Sequence, residues 1–496
     1  MKKSLWQKYN NLNELKSVEE NLKTDILIIG AGITGISTAY NLIKSDYKII
    51  LIDRGKCFNG ATAKSTGKIT YMQDLKYQEI CNVYDYETAK LYYQSQKEAI
   101  KILQKNIKEN NIDCNFEKNE SVTFTTNIKD INKFHIEERL LDSFGVKYSN
   151  NSKHVDNEVK YLISVKDAYV FNPIKYLKGL LRRIKKSINI EVYENSAATE
   201  IKKENNYYIV CVNNKEIRAS KIVIACNYPF FSIPGLIPLR TYLERSYITA
   251  TKIDYDKKVN GITNTYPYQS FRFYNDKGSK YLIYLSNSSS ISDNINYLKN
   301  YNENIMMSKK ITNKPYSYKW TNMDVMTNDF LPLIGTISDD HKDIFIATGY
   351  NTWGMTNATI ASKLLFDLIR NKKNKYQKLF SLDRKINVKI IKNFFINTFR
   401  SSVKAYALNM IIKNHSWYKN KAYVTSLNNK RVGIYCDENG TEHIVSNTCP
   451  HLKCFLAFNE VDKTWDCPCH GSRFDINGNV INGPSKYDIK IDETKS

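Results

Sequence analysis

The sequence predicts an α/β protein followed by a small all-β unit. Residues 25–29 (DILII) and 48–53 (KIILID) are short apolar runs with a helical stretch, 35–45, between them. This order is typical of a β–α–β unit, which implies a parallel sheet. Strand and helix patterns keep alternating to about residue 371, as in α/β proteins. From about residue 418 the pattern changes to short strands separated by Asn, Asp and Gly turns.

The remaining elements follow from the same periodicities. Helices are predicted at 86–110, 173–187 (opened by Pro173) and 355–371, and strands at 121–126, 207–212, 217–225 and 343–348. Residues 385–413 read as a basic helix, and short strands follow at 422–427, 431–436 and 443–447. We therefore expect a first part over residues 1–384, a helical linker over 385–414 and a C-terminal domain over 415–496.

The chain is long and strongly basic. It has 496 residues and a formal charge of +23. From His415 onward the acidic and basic residues balance, so the excess positive charge lies in residues 1–414. Such an excess is compatible with nucleic acid, an anionic membrane surface or an acidic partner protein. The lysines are scattered and no RNA-reading motif is present, so we interpret them as a solvated surface and expect no nucleic acid.

Membrane and export signals are not recognisable. No apolar run reaches the ~18 residues of a membrane span. The N-terminal residues, MKKSLWQKYNNLNELKS, lack the apolar core of a signal peptide. We expect a cytoplasmic protein without a membrane span.

Four of the ten cysteines are close together in the C-terminal domain. Cys449 and His451 are followed, after fifteen residues, by Cys467 and His470, giving the pattern C-x-H-x15-C-x-x-H. In a cytosolic protein such a group indicates a metal before it indicates a disulfide framework. Two thiolates and two imidazoles can hold a zinc ion, or the two irons of a Rieske [2Fe–2S] cluster. Spacing alone leaves both open.

The surrounding residues resemble the Rieske iron–sulfur family over 418–490. CPHLKC (449–454) and CPCHGSRFD (467–475) match its two cluster loops, and residues 482–485 stand where that family has a proline loop. The resemblance implies four cluster ligands, two on each iron: Cys449 and Cys467, and His451 and His470. It also implies a disulfide between Cys454 and Cys469.

Some positions depart from the family pattern. Pro450 stands where a threonine is usual and Lys453 where a glycine is usual. Ser472 matches a hydroxyl that often bonds a bridging sulfur, but Phe474 replaces a tyrosine found in high-potential members. Hydrogen bonds to cluster sulfur favour the reduced state. We therefore predict a potential in the lower part of the roughly −150 to +300 mV Rieske range.

A dinucleotide motif lies near the N-terminus. Residues 30–35 read Gly-Ala-Gly-Ile-Thr-Gly, a G-x-G-x-x-G sequence between a predicted strand and helix. Its glycines allow backbone to approach a pyrophosphate at the helix N-terminus. Asp53 ends the next strand, 18 residues after Gly35, where an acidic side chain binds a ribose hydroxyl. The motif predicts a dinucleotide and leaves NAD and FAD open.

Longer stretches favour FAD. Residues 20–380 resemble the D-amino-acid-oxidase-like flavoproteins, particularly at 60–70, 219–227, 329–335 and 347–356. The resemblance implies a Rossmann-like FAD-binding domain interleaved with a sheet-based substrate domain. The whole chain is similar to bacterial FAD-dependent oxidoreductases with a C-terminal Rieske domain. The residues expected at the flavin are Gly30, Ala31, Gly32, Ile33, Thr34, Gly35, Asp53, Arg54, Thr62, Thr66, Gly67, Lys68, Ala225, Gly349, Trp353, Gly354, Met355 and Thr356.

Substrate residues are harder to identify. Arg245 and Arg272 are candidates to clamp a substrate carboxylate, and Tyr247, Tyr274 and Tyr350 are candidates for the flavin face. A structural role is an equal alternative for each. Residues 286–290 (SNSSS) stand where the family often has a glycine-rich stretch with a histidine, so the substrate chemistry is expected to differ.

The two cofactors predict an oxidoreductase. The expected reaction oxidises a C–N bond of an amine or amino acid and passes electrons from FAD to the cluster. One alternative is a reductase that receives electrons at the cluster from an acidic carrier protein. Another is a non-enzymatic redox sensor that uses Cys454 and Cys469. No second set of two histidines and a carboxylate is evident for a Rieske oxygenase.

Overall fold

The architecture is described from a computed structural model. The structure describes residues 4–154, 158–229, 237–291, 296–385, 391 and 419–491. Most of the predicted helix over 385–413, and of the linker to which it belongs, lies outside these residues. Among the described helices, none is both long and apolar enough to cross a membrane.

The helices whose bounds lie within the described residues all belong to the first part of the chain. A short 3₁₀ helix at Leu5–Tyr9 precedes them. They are α1 (Ile33–Asn41), α2 (Lys76–Val83), α3 (Tyr86–Glu109), α4 (Ile131–Ser143), α5 (Pro173–Ile184), α6 (Ile237–Arg240), α7 (Tyr297–Thr312), α8 (Gly354–Ile369) and α9 (Gln377–Phe380).

The strands fall into four sheets. Those of the first part are β1 (Leu22–Ile29), β2 (Ile49–Ile52), β3 (Lys68–Ile69), β4 (Glu117–Thr125), β5 (Tyr161–Val170), β6 (Ile190–Tyr193), β7 (Ala198–Glu204), β8 (Tyr207–Val212), β9 (Lys215–Ile224), β10 (Thr241–Ile253), β11 (Val259–Thr263), β12 (Gln269–Asp276), β13 (Ser279–Ser290), β14 (Tyr318–Thr327), β15 (Leu333–Thr336) and β16 (Ile344–Thr348). Those of the C-terminal part are β17 (Lys421–Leu427), β18 (Lys430–Cys436), β19 (Glu442–Ser446), β20 (Ala457–Asn459), β21 (Thr464–Asp466), β22 (Arg473–Phe474) and β23 (Val480–Asn482).

The first sheet is the predicted nucleotide-binding sheet. Its order is β15-β16-β9-β1-β2-β6, with the β7–β8 hairpin attached to β9. β1 pairs in parallel with both β2 and β9, and its last residues, Leu27 to Ile29, are buried. Parallel strands are covered on both faces, which explains why β1 and β2 read as continuous apolar runs. Helix α1 packs against α5 and α8 beside this sheet.

The second sheet is larger than the sequence patterns indicated. Its order is β14-β10-β13-β12-β11-β4-β5-β3, and all its pairs are antiparallel except β11 with β4. Strand β3 begins at Lys68, directly after the 60–67 loop, and so ties the nucleotide-binding part to this sheet. Strand β14 is one edge of the sheet and pairs with β10, and both strands carry residues discussed with the site below.

The C-terminal part is all-β, as predicted. β17-β18-β19 form one antiparallel sheet and β20-β21-β22-β23 another. Their small core contains Trp465 and Phe474, both fully buried, together with Cys449 and Cys467. Gly433 makes room for Trp465, because a Cβ there would collide with the indole ring. The core therefore positions the two cluster loops. The fold class, α/β with an all-β C-terminal domain, is confirmed.

Candidate functional site

The glycine-rich turn closes tightly around the end of β1. Gly30 has φ +110°, and a Cβ there would lie 2.7 Å from the carbonyl oxygen of Ala225. A Cβ on Gly35 would collide with the carbonyl of Gly30. Both positions therefore require glycine. The turn leads into α1, whose first residue is Ile33, so the helix N-terminus faces the space above the sheet edge.

Asp53 links the glycine-rich turn after β1 to the turn that follows β2. Its carboxylate accepts hydrogen bonds from the backbone N–H of Ala31 at 2.8 Å and of Gly55 at 2.9 Å. Burial outweighs these hydrogen bonds and raises the pKa of Asp53 to about 6. The side chain of Thr62 accepts from the Ile33 N–H at 3.1 Å and so joins the 60–67 loop to the same turn.

A cavity of about 570 Å³ extends from this turn towards the second sheet. Its nucleotide end is lined by the expected residues Gly30, Gly32, Ile33, Thr34, Asp53 and Arg54. Its far end is lined by the expected residues Thr62, Ala225, Tyr350, Gly354 and Met355. The volume lies within the range typical of cofactor pockets.

Other residues expected at the flavin do not line the cavity but contact residues near it. Ala31 bonds Asp53, Gly35 packs on Gly30, and Thr356 accepts a hydrogen bond from Gln73. Gly349 has φ +73° and packs on Thr327. The carbonyls of Thr66 and Gly67 both accept from Arg272 at 2.9 Å.

Lys68 and Trp353 also lie outside the cavity wall. The Lys68 ammonium group is buried 5.2 Å from the centre of the Trp353 ring and donates to Ser270 Oγ at 2.6 Å. Burial lowers the pKa of Lys68 to about 7. No described carboxylate forms an ion pair with it.

The cavity fits a dinucleotide. Its wall contains the glycine turn and the start of α1, which suit a pyrophosphate. It also contains the Ser65 hydroxyl, which is buried without a hydrogen-bond partner in the structure. Buried polar groups normally have partners, so this hydroxyl indicates a polar occupant. FAD bound here would be held by the turn, by Asp53 and by the 60–67 loop.

The two candidate arginines have other partners. Arg245 Nη2 lies 2.8 Å from Asp466 Oδ2, and both side chains are almost fully buried. Arg272 Nη1 donates to three carbonyls, including that of Phe171 at 2.9 Å. Neither arginine lines the cavity. The structure thus gives each of them a structural contact in place of the expected carboxylate clamp.

Of the three candidate tyrosines, one lines the cavity and two have contacts away from it. Tyr350 lines the cavity and its hydroxyl bonds Thr34 Oγ1 at 2.8 Å. Tyr247 accepts from Asn300 at 3.2 Å, and Tyr274 accepts from Asn172 at 3.0 Å. Only Tyr350 of these three is on the wall.

The candidate cluster ligands lie in two pairs in the C-terminal domain, one of cysteines and one of histidines. Cys449 and Cys467 are buried free thiols that share a hydrogen bond, which lowers the pKa of Cys449. The rings of His451 and His470 lie 5.1 Å apart between centroids. Burial lowers the pKa of both imidazoles, that of His470 to about 4, so both rings are neutral near pH 7.

This donor set fits a Rieske cluster. The Nδ1 atom of His470 is buried without a hydrogen-bond partner in the structure, which leaves it free for a metal. Cys454 and Cys469 form the disulfide that the resemblance implied. The sulfurs of Cys454, Cys467 and Cys469 lie within 4.8 Å of one another, but the disulfide withdraws two of them as thiolates. The donors left are two free thiols and two imidazoles.

The C-terminal domain docks on the edge of the second sheet. Gly471, next to His470, packs on Leu243 of β10 and Met323 of β14, and a Cβ on it would lie 2.5 Å and 3.4 Å from their side chains. Thr321 Oγ1 donates to Asp462 at 2.9 Å. Asp462, Arg473 and residues 480–483 complete the cavity wall. Neither the spacing of motifs nor the apolar periodicity of the sequence predicts this contact between the domains.

Asn322 and Asp324 are among the wall residues that the sequence reasoning missed. Both lie on β14 and line the cavity. A carboxylate within a run of mainly uncharged residues, WTNMDVMT (320–327), was the available signal.

Comparison with known proteins supports both cofactors. The family model for FAD-dependent oxidoreductases (DAO) matches residues 25–368, and the Rieske [2Fe-2S] domain model matches 408–491. The putative Rieske 2Fe-2S iron-sulfur protein YhfW of Bacillus subtilis (strain 168) is 30% identical over 98% of this chain and 96% of its own length.

Solved structures share the fold of the first part. Glycine oxidase from Geobacillus kaustophilus aligns with a TM-score of 0.60 and 14% identity, over 74% of this chain and 100% of its own. L-proline dehydrogenase from P. horikoshii aligns with a TM-score of 0.60 and 16% identity, over 73% of this chain and 98% of its own. The chain therefore belongs to the DAO family of FAD-dependent oxidoreductases, with a Rieske [2Fe-2S] domain at its C-terminal end.

Proposed function

We propose that this protein oxidises a C–N bond of an amine or amino acid and passes the electrons from FAD to the Rieske cluster. The loss of two electrons and two protons turns an amine into an imine. When bound, FAD supplies a two-electron acceptor and the cluster a one-electron carrier. The structural neighbours that act on amino acids support C–N chemistry through the fold alone.

One observation carries the proposal: the cavity in the flavin domain is closed by the domain that holds the cluster ligands. Met323 lines the cavity and also contacts Gly471, which follows the ligand His470. The two candidate cofactor sites are therefore separated by a few side chains. Such proximity favours electron exchange within one molecule.

Several side chains fix the loops around the cavity and close one of its ends. Trp320 donates its indole N–H to the carbonyl of Lys64 at 2.8 Å and fixes the 60–67 loop against β14. Asp462 and Arg473, paired at 2.7 Å, close the end of the cavity towards the C-terminal domain. Exclusion of water and fixed positioning are the contributions that such an oxidation needs from the protein.

The test compares electron exit in matched cysteine variants. Amines and amino acids are first screened anaerobically for bleaching of the flavin band. We expect Cys449→Ser to keep substrate-dependent bleaching but to lose rapid reduction of a one-electron acceptor and the EPR signal of the cluster. Cys436→Ser removes another buried cysteine of the same domain and should behave like the wild type. Equal acceptor rates in all three proteins would refute transfer through the cluster.

The reverse direction is the second candidate. An acidic carrier protein would deliver electrons to the cluster, and the positive charge of residues 1–414 is complementary to it. A steep loss of rate with added salt would favour this alternative. A redox sensor has less support, because it needs no cavity beside the flavin site. We also propose a cytoplasmic location, because apart from one disulfide the cysteines are free thiols.

A further inference from the structure

The second sheet presents two different faces at its β10–β14 edge. Arg245 pairs across the strands with Met323, and Glu244 pairs with Asp324. Opposite residues in an antiparallel pair lie on the same face, and the faces alternate along a strand. Arg245 and Met323 contact the C-terminal domain. Asp324 and Glu244 therefore lie on the face turned away from it.

Asp324 is a partly buried carboxylate for which the described residues provide no counterion. It lines the cavity, and none of the ion pairs among the described residues includes it. Its one hydrogen bond comes from Asn322 Nδ2 at 3.0 Å. Burial raises the pKa of Asp324 to about 6, so it is largely ionised near pH 7. A buried charge without a partner is costly, and a ligand cation would remove that cost.

Asn322 supplies a second free acceptor beside this carboxylate. The residue is 6% exposed and lines the same wall. Its amide nitrogen is used by Asp324, while its carbonyl oxygen has no donor in the structure. Two acceptors side by side, one of them charged, match a group that carries several N–H donors and a positive charge.

The neighbouring charges on this face are also acidic. Glu244 lies directly across from Asp324. Asp74, Glu244 and Glu79 also contribute, after burial, to the raised pKa of Tyr268. Within the cavity, a substrate carboxylate next to Asp324 would be repelled by the charge of Asp324.

The cations of the region are directed elsewhere. Arg245 is held by Asp466 and Arg272 by backbone carbonyls. Lys64 also lines the cavity, but only burial and the Asn322 hydrogen bond act on the pKa of Asp324, so the Lys64 charge does not neutralise Asp324.

We propose that Asn322 and Asp324 form a subsite for an organic ammonium group, so that the ligands of the cavity are cationic amines and not compounds that present a carboxylate there. The inference rests on the proposed function for the role of the ligand as substrate, and it goes further by naming the substrate class. The binding itself is independent of turnover.

The experiment is anaerobic isothermal titration calorimetry of the FAD-loaded protein. The probes are n-butylamine and n-butyrate, which have similar alkyl chains and opposite charges. The variants are Asp324→Asn and, as a matched control, Asp254→Asn, whose exposed carboxylate pairs with Lys314 at the surface. Flavin content and thermal midpoint are recorded for each variant.

We expect n-butylamine to bind the wild type and Asp254→Asn equally and to bind Asp324→Asn roughly 10- to 100-fold more weakly. We expect n-butyrate to bind more weakly than n-butylamine to the wild type. Asp324→Asn should keep its flavin and its thermal midpoint, because it removes a partly buried charge that forms no ion pair among the described residues.

Three results would overturn the inference: no binding of n-butylamine to the wild type, an unchanged Kd in Asp324→Asn, or loss of flavin from that variant. Loss of flavin would assign Asp324 to the cofactor instead. Amino acids that bleach the flavin while Asp324→Asn leaves n-butylamine binding unchanged would keep the proposed function and reject the subsite. If n-butylamine binding depends on Asp324 but no amine or amino acid bleaches the flavin, the subsite is kept and the proposed function is rejected.

Discussion

Glu137 shows at the scale of one residue how burial can outweigh hydrogen bonding. Its carboxylate accepts from the backbone N–H of Tyr77 at 3.0 Å and of Gln78 at 2.8 Å, in the first turn of α2. Such bonds favour the charged form, yet full burial raises the pKa of Glu137 to about 8. The proton that the folded protein retains makes stability depend on pH.

We predict that Glu137→Gln flattens this dependence. Between the unfolded pKa near 4.5 and the folded value near 8, the folded state holds a proton that the unfolded state has lost. The wild type should therefore lose about 1.4 kcal/mol per pH unit from this group as pH rises through that window. Urea unfolding of both proteins at several pH values between 5 and 8 measures the difference. A constant difference across this range would contradict the prediction.

Phe474 sets the second residue-scale prediction. It is fully buried in the same core as Cys449 and Cys467. A hydroxyl added by Phe474→Tyr is expected to bond a cluster sulfur and raise the midpoint potential by about 50 mV, the equivalent of a hydrogen bond worth about 1.2 kcal/mol. Phe458→Tyr is the control, because that ring packs on Tyr435 and Trp465. A redox titration that finds no upward shift specific to Phe474→Tyr would refute the argument.

At the scale of elements, the loop between β21 and β22 makes the contact with the second sheet. Gly471 has φ +70°, and a Cβ there would lie 2.5 Å from Leu243 Cδ1. We predict that Gly471→Ala destabilises the C-terminal domain by about 1–3 kcal/mol through backbone strain and crowding. Adding Leu243→Ala should relieve the crowding but not the strain. Unfolding followed by the cluster absorption band measures both variants, and full recovery in the double variant would exclude a backbone contribution.

Elements with a strong local pattern were predicted well from the sequence. The strand expected at 207–212 is β8, Tyr207–Val212, and the helix expected at 86–110 is α3, Tyr86–Glu109. Local apolar periodicity determines such elements. The long strands β10 and β14 were missed, because Arg245 and Asp324 interrupt their apolar pattern and the partner of Arg245 is known only in the folded chain.

The candidate site was likewise predicted only where short stretches of sequence determine it. The glycine turn and the cluster motif depend on backbone geometry and ligand type, which short sequences specify. The position of the C-terminal domain depends on contacts between residues more than two hundred positions apart, such as Arg245 with Asp466. The sequence left a carboxylate clamp and a structural role equally open for Arg245, and local pattern could not reveal a partner so distant in the chain.

At the scale of the whole molecule, one buried ion network joins the two cofactor-bearing parts. Asp466 bridges Arg245 of the flavin part at 2.8 Å and Arg473 of its own domain at 3.0 Å. Arg473 also pairs with Asp462 at 2.7 Å. Removing one partner from a buried pair leaves an uncompensated charge and typically costs 3–5 kcal/mol.

The network predicts how strongly each of three variants destabilises the protein. Asp466→Asn leaves Arg245 with no carboxylate partner, whereas Arg245→Met leaves Asp466 still paired with Arg473, so Asp466→Asn should be the more destabilising, by about 3–5 kcal/mol. Lys258→Met, at an exposed ion pair with Glu117, should change nothing measurable. Urea unfolding is followed at the flavin and cluster bands separately. If the network holds the domains together, the two transitions coincide in the wild type and separate in Asp466→Asn, because the cluster domain then loses its support from the sheet. Coincident transitions in all variants, or a larger effect of Arg245→Met, would mean that packing at Gly471 and not the ion network joins the two parts.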